Sequence, residues 1–294
     1  MFRLPLLLLC LLPARPAAAV EYLVNNIIGE DVRPKSSLGG GNQQRPFRTI
    51  QAAIDRARPG DRVFVEKTAE PYREELSLFR CGGAATLTIA SDGAVLDGTV
   101  VGAPGAWRHV EGDVFAIRPR RLTYQQLFLD GAPLKRVPLT SIASAEAVLE
   151  PNQWALVGGR LLLRVEKGRL PHDLTLRHAG LQTGITLYNV RNVVIEGLVI
   201  QGFQQDAVNA HDLVSDCVLR NVELRANGRS GLSVGGSSNV AAEACYAYDN
   251  GRVQVRAEGY AKLRLAGCEV IASKVAGKQS AASTALIEES PAER

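Results

Sequence analysis

Four consecutive segments between residues 184 and 271 repeat with a period of 22–24 residues, which restricts the fold more than any other feature of the chain. They start at Gly184, Ala207, Gly231 and Val253 and open on short alternating runs: Ile185-Thr186-Leu187, Val208-Asn209-Ala210, Leu232-Ser233-Val234 and Val253-Gln254-Val255. Each continues through a polar corner into a second apolar run and then a third. Asn227-Gly228-Arg229 returns as Asn250-Gly251-Arg252. Several short strands per unit, with no helix, describe a chain that coils and stacks on itself. The expected fold is all-β, a single-chain solenoid of parallel strands.

Residues 1–19 read as a secretory signal. Met1-Phe2-Arg3 is a short basic start, Leu4 to Leu12 is apolar, and Ala17-Ala18-Ala19 offers a small-residue cleavage site. The apolar run is about half of the ~20 residues a membrane helix needs. This predicts a secreted or periplasmic protein with no membrane span after cleavage. The net charge of +4 includes Arg3 and Arg15, and the remaining basic residues are scattered with few aromatics among them. That pattern argues against a nucleic-acid partner.

Cleavage removes Cys10 and leaves Cys81, Cys217, Cys245 and Cys268. Alignment of the repeats puts Leu198, Val222, Cys245 and Cys268 at one coil position, all facing inward. Adjacent coils lie ~4.8 Å apart, close enough for a disulfide, but in-register parallel strands aim their side chains alike. Stacked buried thiols are therefore expected in preference to a Cys245–Cys268 bridge.

Ile50, Ala53, Ile54 and Ala57 follow helical spacing, and Pro59-Gly60 stops the helix. A stacked coil exposes apolar core and open strand edges at its ends, so the helix over residues 49–58 is expected to cap the first coil. Residues 20–99 then form the cap and first coils. Residues 100–180 break the rhythm, and Asp130-Gly131 and Gly158-Gly159 sit between apolar runs as hairpin turns. This is an inserted β-rich lobe or a set of coils with elaborated corners. Regular coils resume over 181–275, and 276–294 reads as a flexible tail with at most a weak helix.

Pro46-Phe47-Arg48-Thr49-Ile50 with Ala53-Ile54, followed by Pro59-Gly60-Asp61-Arg62-Val63-Phe64-Val65, resembles the opening of secreted right-handed parallel β-helix proteins of the pectate-lyase-like class. The resemblance implies a right-handed coil with an N-terminal capping helix. It also implies a polysaccharide or cell-surface glycan as partner. The class holds lyases, glycoside hydrolases, epimerases and non-catalytic binding proteins, so fold alone leaves the activity open.

On the opening strands, alternation turns Thr186, Tyr188, Asn209, His211, Ser233, and Gln254 or Arg256 outward on one face, with Asp206 and Arg229 at the corners just before it. Polygalacturonases of this class carry an acidic pair and a later Gly-His-Gly. Here only Asp206 and Gly231 stand at those places, and an inverting hydrolase needs two carboxyls ~6.5–9.5 Å apart. Pectate-type lyases use an Arg or Lys base with calcium held by acids. Arg229, Arg252 and Arg256 are the candidate bases, and calcium is the one metal the resemblance suggests, although the acids are dispersed. Asp206, His211 and Arg256 are the catalytic candidates and are expected to share one surface patch, with Tyr188, Asn209 and Arg229 holding the sugar. The alternative is a non-catalytic β-helix that uses the same strip to bind glycan. Pro171-His172-Asp173, similar to a tripeptide of alginate epimerases, reads as a turn entering a strand.

Overall fold

The computed structural model describes residues 19–31, 45–103, 105–120 and 124–291. The expected signal, apart from Ala19, lies outside the described residues. Among them, no helix is long and apolar enough to cross a membrane.

Three parallel sheets run the length of the stack. We call them back (eight strands), front (six) and side (five). Each regular coil contributes one strand to each: front Asp206–Asp212, back Ser215–Arg220, side Glu223–Arg225, then front Ser230–Val234 of the next. Register is strict, so like positions stack. Leu76, Ile185, Val208, Leu232 and Val255 form one inward column of the front sheet. All five are essentially inaccessible to solvent. The repeat period is therefore one turn of the coil, and its inward positions supply one continuous core.

The helix Ile50–Arg56 caps the first coil with Ile50, Ala53 and Ile54 buried. Thr49 Oγ1 accepts from the Ala52 amide, and the Glu74 carboxylate accepts from the amides of Ile50 at 2.8 Å and Gln51 at 3.0 Å. The free amides of the first turn thus have partners. Beneath the cap, Tyr72 is 2% exposed and donates its hydroxyl to Glu66 O at 2.8 Å. Burial pushes its pKa from 10.0 to about 12. The phenol thus stays protonated in the folded chain at pH values where the unfolded chain has lost the proton. Its contribution is complete below pH 10 and disappears as pH climbs through 12. Denaturant unfolding is expected to show roughly 2–3 kcal/mol lost over that interval, and Tyr72→Phe should flatten this part of the profile. An unchanged slope in the variant would remove Tyr72 as its cause.

The lobe is an insertion, not a set of distorted coils. The strands before it pair directly with those after it: Leu76 with Ile185, Leu87 with Val193, Leu96 with Ile200. The chain leaves the stack after Asp97 and builds two four-stranded antiparallel sheets. Both expected hairpins form, Leu127–Leu129 with Ala132–Pro133 and Trp154–Val157 with Arg160–Arg164. The lobe has its own core around Trp154, Leu161, Leu163 and Ile117. Pro171–Asp173 is one turn of 3-10 helix before the strand Leu176–Ala179.

Two other expectations meet the structure here. The region read as a flexible tail contains strands Gly277–Ala281 and Leu286–Ser290, which extend the front and back sheets by one coil. Backbone pairing carries this coil. Its side chains are nearly all exposed and only Ala285 and Ile287 touch the core, so its apolar signal is weak. The four cysteines among the described residues are free thiols, and Cys268 Sγ lies 3.4 Å from the Cys245 amide, stacked as the repeat alignment requires.

Candidate functional site

The repeated Asn-Gly-Arg corner organises the site. Its asparagine faces inward. Asn227 Oδ1 accepts from the Phe203 amide, Asn250 Oδ1 accepts from the Asn227 amide at 3.0 Å, and Asn250 Nδ2 donates to Leu224 O and Gln254 Oε1. This buried ladder satisfies corner amides that no strand pairs. The glycine lets successive coils touch. A Cβ on Gly251 would lie 2.3 Å from Gly228 O, and one on Gly228 would lie 2.3 Å from Gln204 O. The arginine turns out of the corner toward the front sheet.

Arg229 lies across Asp206, which is fully buried. Its Nε donates to Asp206 Oδ1 at 2.9 Å, Nη2 pairs with Oδ2, and Ser230 Oγ also donates to Oδ1. This bidentate pair pushes the Arg229 pKa up. Asp206 therefore anchors a cation, and its oxygens are engaged within the protein. One coil further on, Arg252 reaches the lobe, where its guanidinium carbon is 5.6 Å from the Tyr124 ring centroid and Nη1 is 3.4 Å from the hydroxyl. Arg256 sits in the outward row Thr186, Asn209, Ser233, Arg256 and pairs with Glu258. Its pKa is lowered, first by burial and then by Arg229, with Arg252 adding to the effect. Three guanidiniums thus share one stretch of the front sheet beside Tyr124.

The candidates divide into two clusters on this face. Asp206, Arg229 and Arg256 gather by the lobe. His211 lies five residues along the same strand from Asp206, about 17 Å away at strand rise. There it is exposed, with its ring 5.9 Å from that of Tyr188, which in turn is 6.2 Å from Phe79. Asp206, His211 and Arg256 therefore do not form the expected single surface patch: Asp206 is buried beneath Arg229, and His211 stands apart at the far end of the strand. Asn209 lies between the clusters. Gln254, the alternative to Arg256 for an outward position, is fully buried on the asparagine ladder.

Tyr124 and Glu258 escaped the sequence reading. Glu258 follows the front strand Val253–Ala257 immediately and could have been found by extending the outward row. Tyr124 carries no local signal. It is brought in by lobe docking, in which Gln126 Nε2 donates to Asn227 O at 3.1 Å and Asp249 O at 2.8 Å. The donor set for calcium is not assembled, since no three His, Cys, Asp or Glu side chains converge among the described residues.

The fold and register make the chain a parallel β-helix, with a lobe walling one side of its front sheet. Residues 183–290 match the family described as "Right handed beta helix region". Among solved structures, a glycoside hydrolase superposes with a TM-score of 0.59 at 10% identity, over 85% of this chain and 73% of that one. A pectate lyase gives 0.44 at 11% identity, over 86% of this chain and 54% of that one. A xylose complex gives 0.40 at 11% identity, over 92% and 69%. At such identities the likeness concerns the fold alone. No curated protein sequence matches the chain.

Proposed function

We propose that this is an exported protein acting on an acidic polysaccharide, bound along the front sheet, and that the reaction is β-elimination with Arg256 as base. The observation carrying this reading is the group Arg229, Arg252 and Arg256 beside Tyr124, on an outward face where the described residues offer no free carboxylate pair. Asp206 is enclosed by Arg229 and Ser230, and Glu258 is paired with Arg256. The two free carboxyls that hydrolysis requires are not available there. Cations are, and a uronate demands them. Arg252 neutralises its carboxylate and Arg229, held in place by Asp206, has its Nη1 left to donate to it, while Phe79, Tyr188 and His211 offer rings to sugar faces further along the strands.

In the elimination, the neutral guanidine of Arg256 takes the proton from the carbon bearing the carboxylate. The C–H electron pair becomes the new C=C bond, the bond to the glycosidic oxygen breaks, and that oxygen is protonated by solvent. Burial, Arg229 and Arg252 favour the neutral base and outweigh the opposing pull of Asp206 and Tyr124, while the paired Glu258 must give way to substrate. Activity should therefore rise with pH.

The test is incubation with polygalacturonate, alginate, a sulfated uronate polymer and a neutral glucan, reading unsaturated-uronate absorbance and retention on immobilised polymer. Absorbance is expected from a polyuronate only, with a loss of about 100-fold or more in Arg256→Ala. Retention without absorbance would make the face a binding surface. Neither signal from any polyuronate would end the reading.

A further inference from the structure

A cavity of about 410 Å³ opens where the lobe meets the last two corners of the stack, outside the front-sheet face. Its size is within the ~300–1,000 Å³ of small-molecule sites. Leu134 and Val275 give it apolar walls, Lys135, Arg136 and Lys274 line it with positive charge, and Asp249 contributes one carboxylate. We infer that this cavity is a second binding site, which takes a single anionic sugar unit.

Arg136 is fixed there before any ligand arrives. Its Nη1 donates to Gly251 O at 3.3 Å, and its guanidinium carbon lies 5.4 Å from the ring centroid of the buried Trp154. Burial lowers its pKa, as expected for a cation lacking a counter-charge. Among the described residues, no carboxylate forms an ion pair with Arg136, Lys135 or Lys274. An incoming anion would supply the missing charge. A bare oxyanion would leave the apolar walls unused and meet Asp249 as a like charge. An anionic pyranose uses every part: ring against Leu134 and Val275, hydroxyls donating to Asp249, acid group among the cations. Gly251 and Arg252 are neighbours in one corner, the first held by Arg136 and the second turned to Tyr124. The two sites therefore flank the same corner and draw on different residues of it. The choice of a sugar rests on the function proposed above, whereas the cavity and its charges do not.

The experiment is calorimetric titration of the full chain with galacturonate, galactose 6-sulfate, galactose and inorganic sulfate. The variants are Lys135→Ala and Lys274→Ala, both at exposed side chains, and Arg256→Ala as a probe of the other face. One or both sugar anions should bind at least tenfold more tightly than galactose or sulfate, and the tighter of the two identifies the acid group. Each lysine variant should weaken that binding about tenfold, consistent with losing one charge-assisted contact, and Arg256→Ala should leave it unchanged. Equal binding of galactose, indifference to both lysine variants, or no binding of either sugar anion would overturn the inference. If polymer cleavage or retention is seen but the sugar anions do not bind, only the cavity reading falls. The reverse result would leave the cavity standing and end the front-face reading.

Discussion

Gly197→Ala is expected to destabilise the chain by about 4 kcal/mol, whereas Asn221→Ala one coil later should cost about 1 kcal/mol. The two positions have the same backbone conformation. The corner between back and side sheets is left-handed in every regular coil, with φ of 68° at Gly197, 50° at Asn221, 49° at Ala244 and 59° at Gly267. Ala244 demonstrates that a Cβ is tolerated there. What differs is the coil above. A Cβ on Gly197 would lie 1.8 Å from Ser91 O, far inside contact, and the obstacle is backbone that cannot rotate away. That coil makes its corner with Asp92-Gly93-Ala94, a residue longer than the corners below, and Gly93 N donates to Gly197 O at 2.8 Å. The added methyl must therefore separate two coils in mid-stack and break the ladders on either side. Denaturant unfolding of both variants checks this, and similar losses at the two positions would refute close approach as the cause.

Asp206→Ala should cost about 3 kcal/mol and abolish retention on polyuronate. Removing the carboxylate leaves the Arg229 guanidinium, only 21% exposed, without its bidentate partner. Breaking a buried pair from one side is costly because the surviving charge stays desolvated. The double variant Asp206→Ala/Arg229→Met should then be more stable than Asp206→Ala alone, since no unpaired charge remains. A double variant less stable than the single one would show that Asp206 acts through packing. In functional terms Asp206 is a positioning residue. Its loss should act by releasing Arg229, so Asp206→Asn, which preserves shape and part of the hydrogen bonding, should keep some retention.

The repeat made most of the β-helix readable from residues alone. In parallel coils each position stacks on its equivalent, so a period of one turn sets strand, side-chain direction and core column together. Inward Ile185, Val208, Leu232 and Val255, the cap with Ile50, Ala53 and Ile54, and the lobe hairpins all followed from local pattern. The last coil did not, because backbone pairing holds it and a nearly polar sequence suffices.

The candidate site was legible only where the repeat reached it. Arg229, Arg252 and Arg256 could be assigned to one face because equivalent positions stack. Alternation could not reveal that Asp206 is buried beneath Arg229, that Gln254 completes the inner ladder, or that His211 stands about 17 Å from Asp206 along a single strand. Those outcomes depend on how each corner bends. Tyr124 and the cavity beside Arg136 depend on the docking of an inserted lobe, through contacts such as Gln126 to Asn227 that span 101 residues of chain. Local periodicity determines the coil, and contacts between distant segments decide which of its side chains meet.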